Sequence, residues 1–171
     1  MGALLDIIGS LVVRGSIVAI MVTVTYSLHN ALYVRTSQSI AQQKVATVSE
    51  IMKSDIKQIG YNTSLTPVLT MSASDFRFIG DLDNNGVVDS IRYHVAIDSI
   101  LYRTVNSASP TPLLHYVSTL AFKYTDMSGV VTADRDLVKT ISIKIATKEP
   151  NVLDDIAPKG FWEGIINPPN I

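Results

Sequence analysis

The chain has 171 residues with 14 basic and 15 acidic side chains, a formal net charge of −1. No bulk field therefore draws it to DNA, RNA or anionic lipid, which argues against an ordinary nucleic-acid binder. It contains no cysteine, so disulfide frameworks, thiolate metal sites and cysteine nucleophiles are excluded as well.

Charged residues make up only 17% of the chain, below the usual quarter, and the apolar excess sits at the N-terminus. From Ile7 to Val34 the only formal charge is Arg14, and the 20 residues from Gly15 to Val34 carry none. About 20 apolar residues span a bilayer core as a helix. A cleaved signal peptide is the alternative, but its apolar region is usually about 7–15 residues after a basic start. Here Asp6 makes the start acidic, the run is longer, and helical patterning continues after it. A retained membrane anchor is the expectation.

The run also carries Thr23, Thr25, Ser27, His29 and Asn30, besides Asp6 and Arg14. Ionisable groups within a span are costly and usually find partners on other helices. Asp6 and Arg14 stand about 12 Å apart along a helix axis, too far to pair well within one chain. Two readings stay open: pairing between axially staggered copies, or snorkelling of both groups at the membrane edge.

Ala41, Val45, Val48, Met52, Ile56 and Ile59 then form an amphipathic stripe. Gln42, Gln43, Ser49, Glu50, Lys53 and Lys57 are expected on the opposite face. No proline precedes Pro67, and Gly60 stands where a helix-ending glycine is expected. A helix from Asp6 to Ile59 is about 81 Å long if continuous. A small core cannot bury it throughout, so its first half needs lipid or sister helices and its second half needs a domain.

After Gly60 the period changes. A strand is predicted from Phe76 to Ile79, followed by the turn signal Asp81-Leu-Asp-Asn-Asn-Gly86, whose Asn-Gly marks a hairpin. Alternation resumes over Val88, Ile91, Tyr93, Val95 and Ile97, a turn follows at Asp98-Ser99, and Ile100–Val105 reads as a strand. Further strands are expected at Val117–Tyr124 and Leu137–Ala146, joined at Ser128-Gly129. Pro110 and Pro112 read as a loop, and an irregular tail is expected around Pro158, Phe161, Trp162, Pro168 and Pro169, with Trp162 covering one end of the core. The expected fold class is α+β: a long N-terminal helix packed on an antiparallel meander of about four or five strands. The expected divisions are 1–34 (transmembrane half), 35–60 (amphipathic half) and 61–171 (β-rich head).

Several ordered segments carry a family resemblance. Met52-Lys-Ser-Asp-Ile-Lys-Gln-Ile-Gly-Tyr61 resembles the end of the long helix in minor pilins and pseudopilins of the type IV pilus and type II secretion superfamily. Phe78–Tyr93, Leu101-Tyr-Arg103, Val117–Asp126 and the closing Asn167-Pro-Pro-Asn-Ile171 resemble further family segments in the same order. The front departs from that pattern. Met1-Gly-Ala-Leu-Leu-Asp6 stands where the family has a basic leader, a Gly and Phe-Thr-Leu-Ile-Glu. If Gly2 is the first mature residue, Asp6 takes the place of the family glutamate, which faces a neighbour's N-terminal amine during assembly.

The resemblance implies a structural filament subunit. It would be held in the cytoplasmic membrane before assembly and then become part of a periplasmic or extracellular filament of like or related subunits. Asp6 and Arg14 are the candidate assembly residues. The rival expectation is a monomeric single-pass protein whose head binds a ligand or calcium.

Asp81, Asp83, Asn85 and Asp89 fall at positions 1, 3, 5 and 9 of a calcium-loop pattern with Gly86 at position 6. Position 12 is Arg92 rather than a bidentate Glu, and a solvated hairpin tip favours the same residues. No enzyme is expected. His29, His94 and His115 show no triad or HExxH spacing, and no Gly-rich phosphate loop occurs.

Overall fold

The structure, a computed structural model, describes residues 2–148, 150 and 159–171. One helix, α1 (Gly2–Lys57), is followed by β1 (Val68–Met71), β2 (Asp75–Gly80), β3 (Asp89–Val95), β4 (Leu101–Val105), β5 (Thr111–Leu114), β6 (Val117–Thr125), β7 (Thr140–Lys148) and β8 (Lys159–Ile166). The class is α+β, as expected. The residues divide into two compact units, Met1–Ser37 and Gln38–Ile171.

Within the second unit the predicted stripe is the core-facing side of α1. Ala41, Val45, Val48, Met52, Ile56 and Ile59 are all buried. They meet two antiparallel sheets, one of five strands in the order β1-β2-β3-β4-β5 and one of three in the order β6-β7-β8. Phe76, Phe78, Ile91, Tyr93 and Leu101 enter from the first sheet, and Phe122, Tyr124, Ile141, Ile143 and Ile145 from the second. Side chains alternate across each strand, so one face of each sheet supplies the core. In β6 a register shift between Val117 and Thr119 lets Val117 and Leu120 share the buried face despite their odd spacing.

The head therefore has eight strands among the described residues, against four or five expected. β1 is only four residues long and buries Val68 alone, too little pattern to read. β5 contains Pro112, but it is the outermost strand of its sheet, where proline is tolerated. The expected irregular tail is instead β8. It carries Gly160 because Ala41 Oxygen of the α1 backbone would lie 2.5 Å from a Cβ there. Pro158 lies outside the described residues. Ile97 belongs to no strand and is fully exposed in the turn after β3. Leu137 is also exposed, and β7 begins later, at Thr140. Trp162 is half-buried against the core, its ring laid over Gly164.

Two side chains of the predicted solvent face are placed differently. Ser49 is buried, its hydroxyl donating to the Ala46 carbonyl at 2.7 Å. Gln42 reaches the edge of β8 rather than water, as described below.

Gly60 ends the helix with a φ of 74°, a left-handed conformation that glycine adopts without strain. Its N–H donates to the Ile79 carbonyl at 2.9 Å, and the Asp81 N–H donates to the Tyr61 carbonyl at 3.0 Å. The last turn of α1 is thus stitched to the end of β2.

One polar group holds the helix to the first sheet from inside. Asp55, 8% exposed, accepts the Tyr93 hydroxyl at 2.5 Å and Arg103 Nε at 2.7 Å, both on the same carboxylate oxygen. Burial, then the adjacent carboxylate, pushes the Tyr93 hydroxyl far above the ordinary tyrosine range, so it stays a donor. Removing one member of a buried pair strands the other. Asp55→Ala is expected to lower head stability by about 3 kcal/mol, and Asp55→Asn by less, because the amide oxygen still accepts. Urea unfolding of the full chain in mild detergent, followed through the head's tyrosine and tryptophan signals, measures both.

Candidate functional site

The loop between β2 and β3 runs from Asp81 to Val88 and gathers the predicted acidic residues. β2 and β3 pair up to Gly80 opposite Asp89, so the sheet register delivers Asp81 and Asp89 to the two mouths of one loop. The Asn-Gly dipeptide lies within a longer excursion rather than forming a two-residue turn. Asn84 and Gly86 take the left-handed conformations, at φ 57° and 83°.

One oxygen from each of Asp81, Asp83 and Asp89 can come within 4.8 Å of the others. Three converging carboxylates are a reasonable start for a hard cation, which takes 6–8 oxygen ligands. The same oxygens also close the loop through the protein's own donors. Asp81, buried, accepts the N–H groups of Asn85 at 3.0 Å and Gly86 at 2.9 Å, and Asn62 Nδ2 at 2.9 Å. Asp83 accepts Asn85 Nδ2 at 2.8 Å, and Asp89 accepts the Leu82 N–H at 3.3 Å and Asn106 Nδ2 at 2.6 Å. Asn85 Oδ1 accepts the Val87 N–H at 2.7 Å. Arg92, at position 12, turns away to a two-point pair with Asp75, at 2.9 and 2.6 Å.

The loop therefore also works as a corner lock. Asn62, just after the helix, and Tyr61, whose hydroxyl donates to Asn84 Oδ1 at 3.2 Å, fasten the end of α1 to it. Nothing in the sequence singled out Asn62. Its left-handed φ of 54° is the kind of position asparagine tolerates.

The other predicted residues lie on the N-terminal part of α1. Asp6 and Arg14 share one side of the helix with Ile7, Ser10 and Leu11 between them. Neither has an ion-pair partner among the described residues. All residues from 6 to 29 are exposed, including Ile7, Leu11, Val12, Val18, Ile20 and Val24 at 59–71%. Ser16 and Thr23 donate to the Val12 and Ala19 carbonyls, each at 2.9 Å, so these hydroxyls are satisfied within the helix. The helix is long and apolar enough to cross a membrane.

Among the described residues, the histidines have aromatic neighbours or lie on the apolar helix. His94 stacks on Tyr102, ring centroids 5.7 Å apart, and partial burial followed by the Arg92 charge holds it below the ordinary histidine range. His115 packs beside Tyr116, and His29 lies on the apolar helix.

Hydrogen bonds to the charged form hold two carboxyls below their ordinary value: Asp75 chiefly through Arg92, Asp81 chiefly through Asn62. A depressed carboxyl stabilises the fold above its unfolded value and loses that contribution as pH falls through the folded one. The head is thus expected to weaken below about pH 4. Asp81→Asn should lower the denaturation midpoint at pH 7 and reduce its loss between pH 5 and pH 3. Equal acid sensitivity of variant and wild type would contradict the assignment. No protein-family model matches the chain, and no curated protein does.

Proposed function

We propose that the protein is a structural filament subunit of the pilin-like kind, anchored in a membrane by the N-terminal part of α1 before assembly. A long N-terminal helix followed by antiparallel sheet is the general plan of pilin-like proteins, and this chain has it.

The observation that carries the reading is the uncovered apolar surface of residues 7–33. Fifteen large apolar side chains there stay about half open or more. Leaving them in water costs about 1 kcal/mol or more each, a sum comparable to the whole stability of a typical domain. Lipid covers them before assembly and sister helices cover them afterwards. Lipid alone leaves Asp6 and Arg14 without partners inside an apolar stretch, whereas axially staggered copies place one copy's Asp6 beside another's Arg14. The head then faces outward on the filament.

A second reading, a monomeric membrane-anchored protein with a cation-binding head, draws on the convergence of Asp81, Asp83 and Asp89. It gives Asp6 and Arg14 no partner.

Charge exchange separates the two. Asp6→Arg is expected to abolish filaments in the fraction sheared from cells, judged by electron microscopy. Adding Arg14→Asp should restore them at least partly. Normal assembly of Asp6→Ala, or recovery of the wild type only as a detergent-extractable monomer, would overturn the filament reading.

A further inference from the structure

β8 is an edge strand, paired to β7 on one side only. Its pairing with β7 puts Thr147 opposite Gly160 and Ile145 opposite Trp162, and by strand alternation the N–H and C=O groups of Lys159, Phe161 and Glu163 point away from β7. Two glutamines of α1 occupy that edge. Gln38 Nε2 donates to the Lys159 carbonyl at 2.5 Å, and Gln38 Oε1 accepts the Lys159 N–H at 3.0 Å. Gln42 does the same at Phe161, at 2.8 and 3.1 Å. Each side-chain amide thus makes both bonds that the opposite residue of an antiparallel strand would make. The spacing matches: residues i and i+4 lie about 6 Å apart on a helix, and i and i+2 about 6.6 Å apart on a strand.

We propose that the outer edge of β8 is a strand-pairing surface for β8 of a second copy of this chain, and that Gln38 and Gln42 mask it. The strand is self-complementary. Antiparallel pairing about a two-fold axis at Phe161 sets Phe161 against Phe161 and each Lys159 against the other copy's Glu163. Aromatic pairs and opposite charges are the favourable cross-strand combinations. Lys159, Phe161 and Glu163 are all exposed, with Phe161 at 47%. Ile165, also exposed at 69%, extends the apolar outer face. The body of α1 lies on the inner face at Gly160, against Ala41 and Val45. Both glutamines are themselves exposed, and their amides take the outward N–H and C=O of Lys159 and Phe161. With those amides removed, an edge of this kind is a template for pairing. The proposal does not depend on the filament reading, because it concerns the head edge and not residues 1–37.

The test uses the full chain, one molecule per micelle, with mass measured by light scattering after size exclusion. Gln38→Ala with Gln42→Ala is expected to double the protein mass relative to wild type. Adding Lys159→Glu, which opposes two glutamates across the axis, should return it to monomer, and adding Glu163→Lys to that triple variant should restore the dimer. A folded double variant that stays monomeric would overturn the proposal, as would a dimer indifferent to the charge reversal. Circular dichroism establishes folding. If the double variant does not fold, Gln42→Ala alone, which frees Phe161, is measured the same way. A folded single variant with no concentration-dependent gain in mass counts against the proposal.

Discussion

A helix can satisfy its own backbone hydrogen bonds anywhere, but its side chains must be covered by something, and α1 divides that requirement in two. Residues 41–59 carry one apolar stripe, which the two sheets of the head bury completely. Residues 7–33 carry apolar side chains all round, which the described protein leaves open. The first kind of surface is what a small domain can accommodate; the second is what lipid or neighbouring helices accommodate.

Holding a helix to a head through a single stripe requires more than apolar contact, because such contact is non-directional. Three polar devices fix the axial and rotational setting of residues 38–57. Asp55 reaches inward to Tyr93 and Arg103 and ties the helix to the first sheet. Gln38 and Gln42 reach to the edge of β8 and tie it to the second. Gly60 and Asn62 hand the chain to the corner locked by Asp81. The acidic loop thereby acquires a structural reason for two of its features, the buried Asp81 carboxylate and the turn at Asn85-Gly86 that closes on it, whether or not a cation joins it.

Much of this was legible from pattern. The six stripe residues, the helix end at Gly60, the turn at Asp98-Ser99 and the central strands β2, β3, β4, β6 and β7 follow from periodicity and turn chemistry, which are local properties. What escaped was set by tertiary contact. Asp55 reads as one more polar residue near a helix end until Tyr93 and Arg103, on β3 and β4, are brought under it. Gln42 reads as solvent-facing because a helical wheel does not know that a sheet edge lies within reach. β8 is hidden by Gly160, Gly164 and its charges, although those glycines are there for the closeness of Ala41 and the ring of Trp162. The convergence of Asp81, Asp83 and Asp89 was visible in their spacing, whereas the share of their oxygens used by the chain's own donors was not.

The central claim is that residues 7–33 end up against the same residues of other copies. The chain has no cysteine, so single cysteines placed along this stretch can be oxidised in whole cells without a competing thiol in the same chain. Positions such as Val13, Ile17, Met21 and Val24 are expected to yield covalent dimers, lost when Asp6→Arg is added. Absence of dimers at every position in this stretch, in cells where the protein is abundant and folded, would contradict the account.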